Sequence, residues 1–155
     1  MKVATYERAF LWVGAILLVV CMGALVYASV GMGLHLPGRV GQIDPTELTS
    51  TPPFDAPGVR QTGPNAYEVV MLGQVWSFVP SEVRVPAGAE VTFLATSVDV
   101  LHGLHVDGTN INLMLIPGQI SKITYRFKEP GPHAIICHEY CGVGHHTMYG
   151  MIHVE

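Results

Sequence analysis

The hydrophobic residues of this chain follow two different patterns, and the first is a long apolar run near the N-terminus. Ala9 to Leu34 is a stretch of 26 residues without a charged side chain. A helix of that length spans roughly 39 Å, whereas the hydrocarbon core of a bilayer is about 30 Å thick. Trp12 and Tyr27 lie near the two ends of the run, as is typical of residues at membrane interfaces. Residues 1–34 are therefore predicted to form a short N-terminal end and one transmembrane helix.

The charges around this run give a weak indication of its orientation. Lys2 and Arg8 precede it, and Arg39 is the one basic residue close behind it. This bias favours a cytoplasmic N-terminus, with the rest of the chain on the outer, periplasmic face of the cell membrane. Val26-Tyr27-Ala28 would also suit the cleavage site of a secretory signal. However, the run exceeds the roughly 7–15 apolar residues of a signal core, which favours a retained single-pass anchor.

Residues 35–64 differ sharply from the run before them. They contain six of the 11 prolines, with glycines in between. Proline lacks the N–H that a helix or a central strand needs. We therefore predict an extended, irregular connector.

The second hydrophobic pattern begins near residue 65 and has a period of two. Apolar side chains alternate with other residues in several short stretches, separated by turn sequences such as Pro86-Ala87-Gly88 and Pro117-Gly118. The clearest stretches are Tyr67 to Met71, Val91 to Ala95 and Ile123 to Phe127. Short strands at this spacing, each with one apolar face, are typical of a β-sandwich or barrel. Residues 65–155 are predicted to form such a domain, with seven or eight strands.

Composition and charge exclude several classes of protein. Only 13% of the 155 residues are charged, and the net charge is −4. The chain has no basic tract, so nucleic acid is not an expected partner, because binding phosphates requires clustered lysine and arginine. Three cysteines are too few for a disulfide-stapled scaffold.

The residues with the most informative chemistry lie in a loop near the C-terminus with the pattern C-x3-C-x3-H-x2-M. They are Cys137, Cys141, His145 and Met148. Thiolate, imidazole and thioether are soft ligands, which select copper over Mg²⁺ or Ca²⁺. A mononuclear blue-copper site uses one thiolate, whereas two thiolates suit two copper ions that share both sulfurs. The second imidazole that such a centre needs would come from an upstream segment, for which His102 is the natural source.

Other interpretations of this loop remain open at the level of sequence. The two cysteines could form a disulfide, since the outer face of a cell membrane is oxidising. Zinc could bind tetrahedrally to both cysteines and two histidines, which would leave the methionine without a role. His105, three residues beyond His102, is an alternative upstream ligand.

Together these residues resemble a known family. The segment Asp99-Val100-Leu101-His102, followed by the cysteine loop, is similar to subunit II of the haem–copper cytochrome c oxidases. The single anchor and the run from Leu101 to Asn110 resemble the B-type, or ba-type, branch. The resemblance implies a mainly β fold, a cupredoxin-like Greek-key barrel, held on the outer face of the membrane by the N-terminal helix. It covers roughly residues 64–155.

The resemblance also implies a dinuclear copper centre, CuA, and a role for each ligand. Cys137 and Cys141 would bridge the two coppers. His102 and His145 would be the terminal imidazole ligands. Met148 would be a weak thioether ligand, and Glu139 would bind through its main-chain carbonyl. The Glu139 side chain would also help to bind Mg²⁺ at the boundary with subunit I, because a carboxylate suits that cation.

The function implied by the resemblance is electron transfer within a respiratory enzyme. The subunit would accept electrons from cytochrome c or a similar redox protein at CuA and pass them to the haems of subunit I for O₂ reduction. A CuA subunit of a nitric oxide or nitrous oxide reductase, and a copper-delivery protein, are the alternatives.

Two departures from the family pattern affect this interpretation. Most members have two anchoring helices, so a small single-helix subunit could fill the second place. The aromatic patch where electrons arrive is reduced to the segment from Gln74 to Phe78. Within it Trp76 is the candidate electron acceptor, with a buried core tryptophan as the other interpretation.

Overall fold

The computed structural model describes residues 4–32 and 38–155. The chain divides into an N-terminal helical unit and a β unit. The predicted boundary between residues 34 and 35 lies outside the described residues.

The helical unit contains the apolar helix that the sequence predicts. Helix α1 runs from Thr5 to Gly31, and none of its 27 residues is buried within the structure. Glu7 caps the N-terminus of the helix, because its carboxylate accepts a hydrogen bond of 2.9 Å from the backbone N–H of Ala4. Its most apolar window has a mean hydropathy of 2.6, so α1 has the length and composition to cross a membrane.

The β unit is a pair of sheets built from eleven strands within the described residues. These are β1 (Gly38–Gln42), β2 (Gly58–Gly63), β3 (Ala66–Gln74), β4 (Ser77–Val79), β5 (Glu82–Val85), β6 (Glu90–Ser97), β7 (His102–Val106), β8 (Asn112–Leu115), β9 (Gln119–Arg126), β10 (Gly131–Ile136) and β11 (Tyr149–Val154). One sheet has the order β1-β9-β6-β3-β2, with β4 also paired to β3, and the other has the order β5-β11-β10-β7-β8. Among the described strands, only β3–β6 and β5–β11 pair in parallel. The mainly β architecture agrees with the prediction, although it has more strands.

The core between the sheets follows the predicted alternation. Val69 and Met71 of β3 are fully buried, as are Val91 and Phe93 of β6. Residues of the second sheet, including Leu104, Leu113, Ile135 and Ile152, belong to the same apolar cluster. Successive strand residues point to opposite faces, so the period-two pattern in the sequence marks the side chains that meet in this core.

The segment predicted as an irregular connector differs from that prediction. It contributes β1, which pairs with β9, and β2, which pairs with β3. Both lie at the edges of their sheet, and neither contains a proline. The prolines fall between the strands, where their missing N–H removes no ladder hydrogen bond.

The same segment also covers a second apolar surface. A 3-10 helix over Pro45–Ser50 buries Leu48, and Phe54 follows in the next turn. These two side chains cluster with Val70 and Leu72, which lie on the outer face of β3. Strand β3 is therefore buried on both faces, which a simple alternating pattern does not indicate.

Candidate metal centre

The strand order brings the cysteine loop and His102 together. The loop connects β10 to β11, and β7 lies antiparallel to β10, with His105 opposite Ile136. His102 begins β7, so it lies at the same end of the sheet as the loop that leaves β10. Two segments distant in sequence therefore meet at one end of the β unit.

The two loop cysteines are close together but separate. Their Sγ atoms are 3.9 Å apart, whereas a disulfide requires about 2.05 Å. Both thiols are free and buried. Burial, and then the neighbouring Cys137, raise the pKa of the Cys141 thiol to about 11. Without a metal this thiol keeps its proton at neutral pH, and binding a metal would displace it.

His102 provides a direct test of whether the site suits a metal. Its side chain is completely buried, and its Nδ1 has no hydrogen-bond partner among the described residues. A ring nitrogen of His102 and the two Sγ atoms lie within 4.8 Å of one another. An unpaired buried nitrogen is destabilising on its own, so its position beside two thiols fits a ligand whose metal supplies the missing interaction.

Asp99 holds the His102 ring in the orientation that leaves Nδ1 free. Its Oδ1 lies 2.9 Å from His102 Nε2, and its Oδ2 accepts a 2.8 Å hydrogen bond from the backbone N–H of Val75. Partial burial raises the pKa of Asp99, but the hydrogen bonds from His102, Val75 and Val100 outweigh it and leave the pKa below its usual value. An ionised Asp99 favours the tautomer with the proton on Nε2.

The remaining predicted ligands surround the two sulfurs. His145 Nδ1 is 3.6 Å and Met148 Sδ is 3.8 Å from Cys141 Sγ. The main-chain oxygen of Glu139 is 3.3 Å from Cys137 Sγ. A short 3-10 helix over His145–Thr147 turns the chain so that His145 and Met148 face the same cysteine. The two thiols and the thioether are soft donors and the two imidazoles are intermediate, a combination that fits copper; the main-chain carbonyl would add a harder, weaker donor.

His105, the alternative upstream ligand, lies elsewhere. It is three residues from His102 on the same strand, so the two side chains point to opposite faces. Its Nδ1 lies 3.1 Å from the main-chain oxygen of Ile111. The geometry therefore favours His102.

Trp76 lies against the cysteine loop and is not a core tryptophan. Its side chain is 38% exposed, and its indole Nε1 donates a 3.0 Å hydrogen bond to the main-chain oxygen of Cys141. The sequence indicates Trp76 as a candidate but does not predict this contact, and it gives Asp99 no role. A role for Asp99 in orienting His102 could have been suspected from its position, because it is an acidic residue three positions before a candidate histidine ligand.

Comparison with known proteins identifies the family to which the chain belongs. Residues 68–154 match the model of the family described as cytochrome c oxidase subunit II, periplasmic domain. The cytochrome c oxidase subunit 2 of Thermus thermophilus is 40% identical over 157 residues, which cover 99% of this chain and 94% of that protein.

Solved structures show the same relationship. A chain in the cryo-EM structure of a heme-copper terminal oxidase dimer is 35% identical, with a TM-score of 0.81 over 97% of this chain and 99% of that one. The periplasmic domain of subunit II of the Bradyrhizobium japonicum cytochrome oxidase is 18% identical, with a TM-score of 0.53 over 57% of this chain and 83% of that one, and it shares the fold. The β unit is therefore cupredoxin-like, and the chain belongs to the cytochrome c oxidase subunit II family, whose members are subunits of haem–copper terminal oxidases.

Proposed function

We propose that this subunit accepts electrons from cytochrome c, or a similar redox protein, at a dinuclear CuA centre and delivers them to the haems of subunit I. The observation that carries the proposal is the pair of free, buried thiols 3.9 Å apart beside the unpaired Nδ1 of His102. Two copper ions held there would supply a one-electron carrier whose charge is shared by both metals. Sharing the charge reduces the change in geometry for each electron.

Each side chain of the centre has a distinct task. Cys137 and Cys141 would bridge the metals, and His102 and His145 would each provide a terminal nitrogen. Met148 and the carbonyl of Glu139 would complete the set as weaker ligands. Burial of both cysteines and of His102 would keep water away from bound metals, and Asp99 would fix the His102 tautomer through its contact with Nε2.

Electrons would arrive through the surface next to Trp76. The indole ring is partly exposed and donates a hydrogen bond to the main-chain carbonyl of Cys141. Three exposed apolar side chains lie on the same group of loops, Val75, Tyr140 and Val143, at 47%, 73% and 79% exposure. Exposed apolar clusters of this kind favour contact with another protein.

Several finer expectations accompany this proposal. The N-terminus would be cytoplasmic and the β unit would lie on the outer face of the cell membrane, bound to subunit I. Membership of the B-type branch, a small single-helix partner subunit and a Mg²⁺ ion held by Glu139 at the boundary with subunit I stay predictions.

Metal analysis and EPR of the full chain in detergent test the proposed centre. We expect two coppers per chain and a mixed-valence signal with hyperfine coupling to two equivalent copper nuclei. An unpaired electron confined to one nucleus would falsify the dinuclear assignment, and preferential binding of zinc would favour the tetrahedral alternative. Reversible Cu(I) binding without a mixed-valence state would indicate copper delivery. In the native complex, the substrate that is reduced, either O₂ or a nitrogen oxide, separates the oxidase from the reductase alternatives.

Replacing Met148 with leucine should preserve the centre and raise its reduction potential. Met148 is 2% exposed, and leucine has a similar volume, so the packing is retained. Leucine removes a donor and makes the site more apolar, and an apolar site disfavours the oxidised metals, which carry the greater positive charge, so reduction becomes more favourable. Redox titration followed by EPR measures the reduction potential of the variant and of the wild-type chain. The copper content of the two chains is compared to establish that the centre is preserved. Loss of copper from the variant would contradict the assignment of Met148 as a weak, tuning ligand.

A further inference from the structure

The turn between β3 and β4 contacts both segments that carry the predicted ligands. On one side, the backbone N–H of Val75 donates to Asp99 Oδ2 at 2.8 Å, and Asp99 Oδ1 lies 2.9 Å from His102 Nε2. On the other side, the indole of Trp76 donates to the carbonyl of Cys141 at 3.0 Å. Two adjacent residues of one turn thus connect to His102 and to Cys141.

Close packing accompanies these hydrogen bonds. A Cβ atom at Gly144 would lie 2.4 Å from Trp76 Cδ2, and one at Gly142 would lie 3.1 Å from Trp76 Nε1. The indole ring therefore rests on the backbone of the cysteine loop, at positions where only glycine allows this approach. At the end of β3, a Cβ atom at Gly73 would lie 3.1 Å from His102 Cδ2. The same hairpin thus also lies directly against the His102 ring.

The position of this hairpin in the fold gives these contacts their importance. β3 and β4 belong to the six-stranded sheet, whereas β7, β10 and β11 belong to the other sheet. His102 is the first residue of β7, and the cysteine loop lies outside the strands over most of its length, so strand pairing alone does not fix the position of these residues. A contact from the opposite sheet restricts both segments at once, and such preorganisation reduces the entropy lost when a metal binds.

We propose that the turn 74–77 is a brace that fixes the spacing between His102 and Cys141, and that Trp76 is a positioning residue of the metal centre through its hydrogen bond to the Cys141 carbonyl. This inference rests on the copper centre proposed above. It assigns to Trp76 a role that does not depend on the electron donor.

Trp76→Phe is the direct test, because phenylalanine keeps an aromatic ring over the loop but cannot donate the hydrogen bond. One such bond corresponds to about a fivefold change in an equilibrium. In the metal-free full chain, we expect amide hydrogen exchange over residues 141–144 to be about fivefold faster in the variant. In the copper-loaded chain, we expect copper release to a chelator to accelerate by a similar factor and the copper hyperfine couplings to change.

Two further variants make the test specific. Tyr140→Phe also removes a polar group from an aromatic residue of the loop, but Tyr140 is 73% exposed, and its ring contact with His145 is retained. It should match the wild type in all three measurements. Gly144→Ala leaves Trp76 unchanged but displaces its ring, so it should reproduce the effects of Trp76→Phe, and it also serves if that variant fails to fold.

The outcomes separate this inference from the proposed function. Wild-type exchange, release and hyperfine couplings in both the Trp76 and Gly144 variants would overturn the brace. So would slower reduction by the donor protein with unchanged copper release, since Trp76 would then act in electron transfer alone. If the wild-type chain lacks the mixed-valence signal, the proposed function fails, and exchange in the metal-free chain still decides whether the turn restrains the loop.

Discussion

Replacing either Cys137 or Cys141 with serine is expected to abolish the two-copper centre. Both side chains are buried and their sulfurs are 3.9 Å apart, so each would contact both metals. A serine hydroxyl is a harder ligand than a thiolate and keeps its proton at neutral pH, which makes it a poor bridge between coppers. Copper content should fall from two per chain to one or none, and the mixed-valence EPR signal should disappear.

The chain contains its own control for this experiment. Cys21 is the third cysteine and lies exposed on α1, outside the β unit. Cys21→Ser should retain both coppers and the wild-type spectrum. A native spectrum in either the Cys137 or the Cys141 variant would remove the bridging role from that residue and, with it, the basis of the proposed function.

Replacing His102 with glutamine is expected to have the second largest effect. The ring is fully buried with Nδ1 unpaired, and Asp99 orients it through Nε2. Loss of a hydrogen-bond partner of a metal ligand alone lowers metal affinity by about 10–100-fold, so loss of the ligand itself should exceed that. Competition with a copper chelator measures the affinity, and EPR reports whether the dinuclear signal survives.

His105→Gln is the matched control for that variant. His105 lies on the same strand, three residues away, and its ring nitrogen lies near the carbonyl of Ile111 on the other face. Its replacement should change copper affinity by less than twofold. If the signal is lost only with the His105 variant, the upstream ligand is His105, and the geometric argument from strand alternation is wrong.

The candidate ligands within the cysteine loop could be recognised in the sequence because they are local. Cys137, Cys141, His145 and Met148 fall within twelve residues, and their donor chemistry restricts the metal. His102 is different, because its position beside the sulfurs depends on the pairing of β7 with β10. Its selection over His105 relied on a family resemblance, and the structure adds the physical reason.

The roles of Asp99 and Trp76 could not be predicted in this way. Asp99 contacts His102 locally, but Asp99 is itself held by a hydrogen bond from the distant Val75, and Trp76 is held by one to the distant Cys141. A lone tryptophan in a short aromatic segment gives no indication of which carbonyl its N–H will meet. Such bonds become apparent only when distant strands are brought together, within one sheet for Val75 and Asp99 and between the two sheets for Trp76 and Cys141.

The fold shows the same division between local and distant information. The alternating stretches predicted the strands that form the core, because every second residue of such a strand is buried and is therefore apolar in the sequence. Leu48 and Phe54, by contrast, are isolated apolar residues in a proline-rich segment, without periodicity. Their burial against Val70 and Leu72 can be recognised only from the folded structure.

That covering layer has a practical consequence for preparing the copper domain without its membrane helix. A shortened chain that starts at residue 65 would discard both border strands together with Leu48 and Phe54. It would expose the apolar outer face of β3 to water and leave two strand edges unpaired, which favours association between chains. A shortened chain should therefore begin before β1, so that it retains the proline-rich segment that covers the β unit.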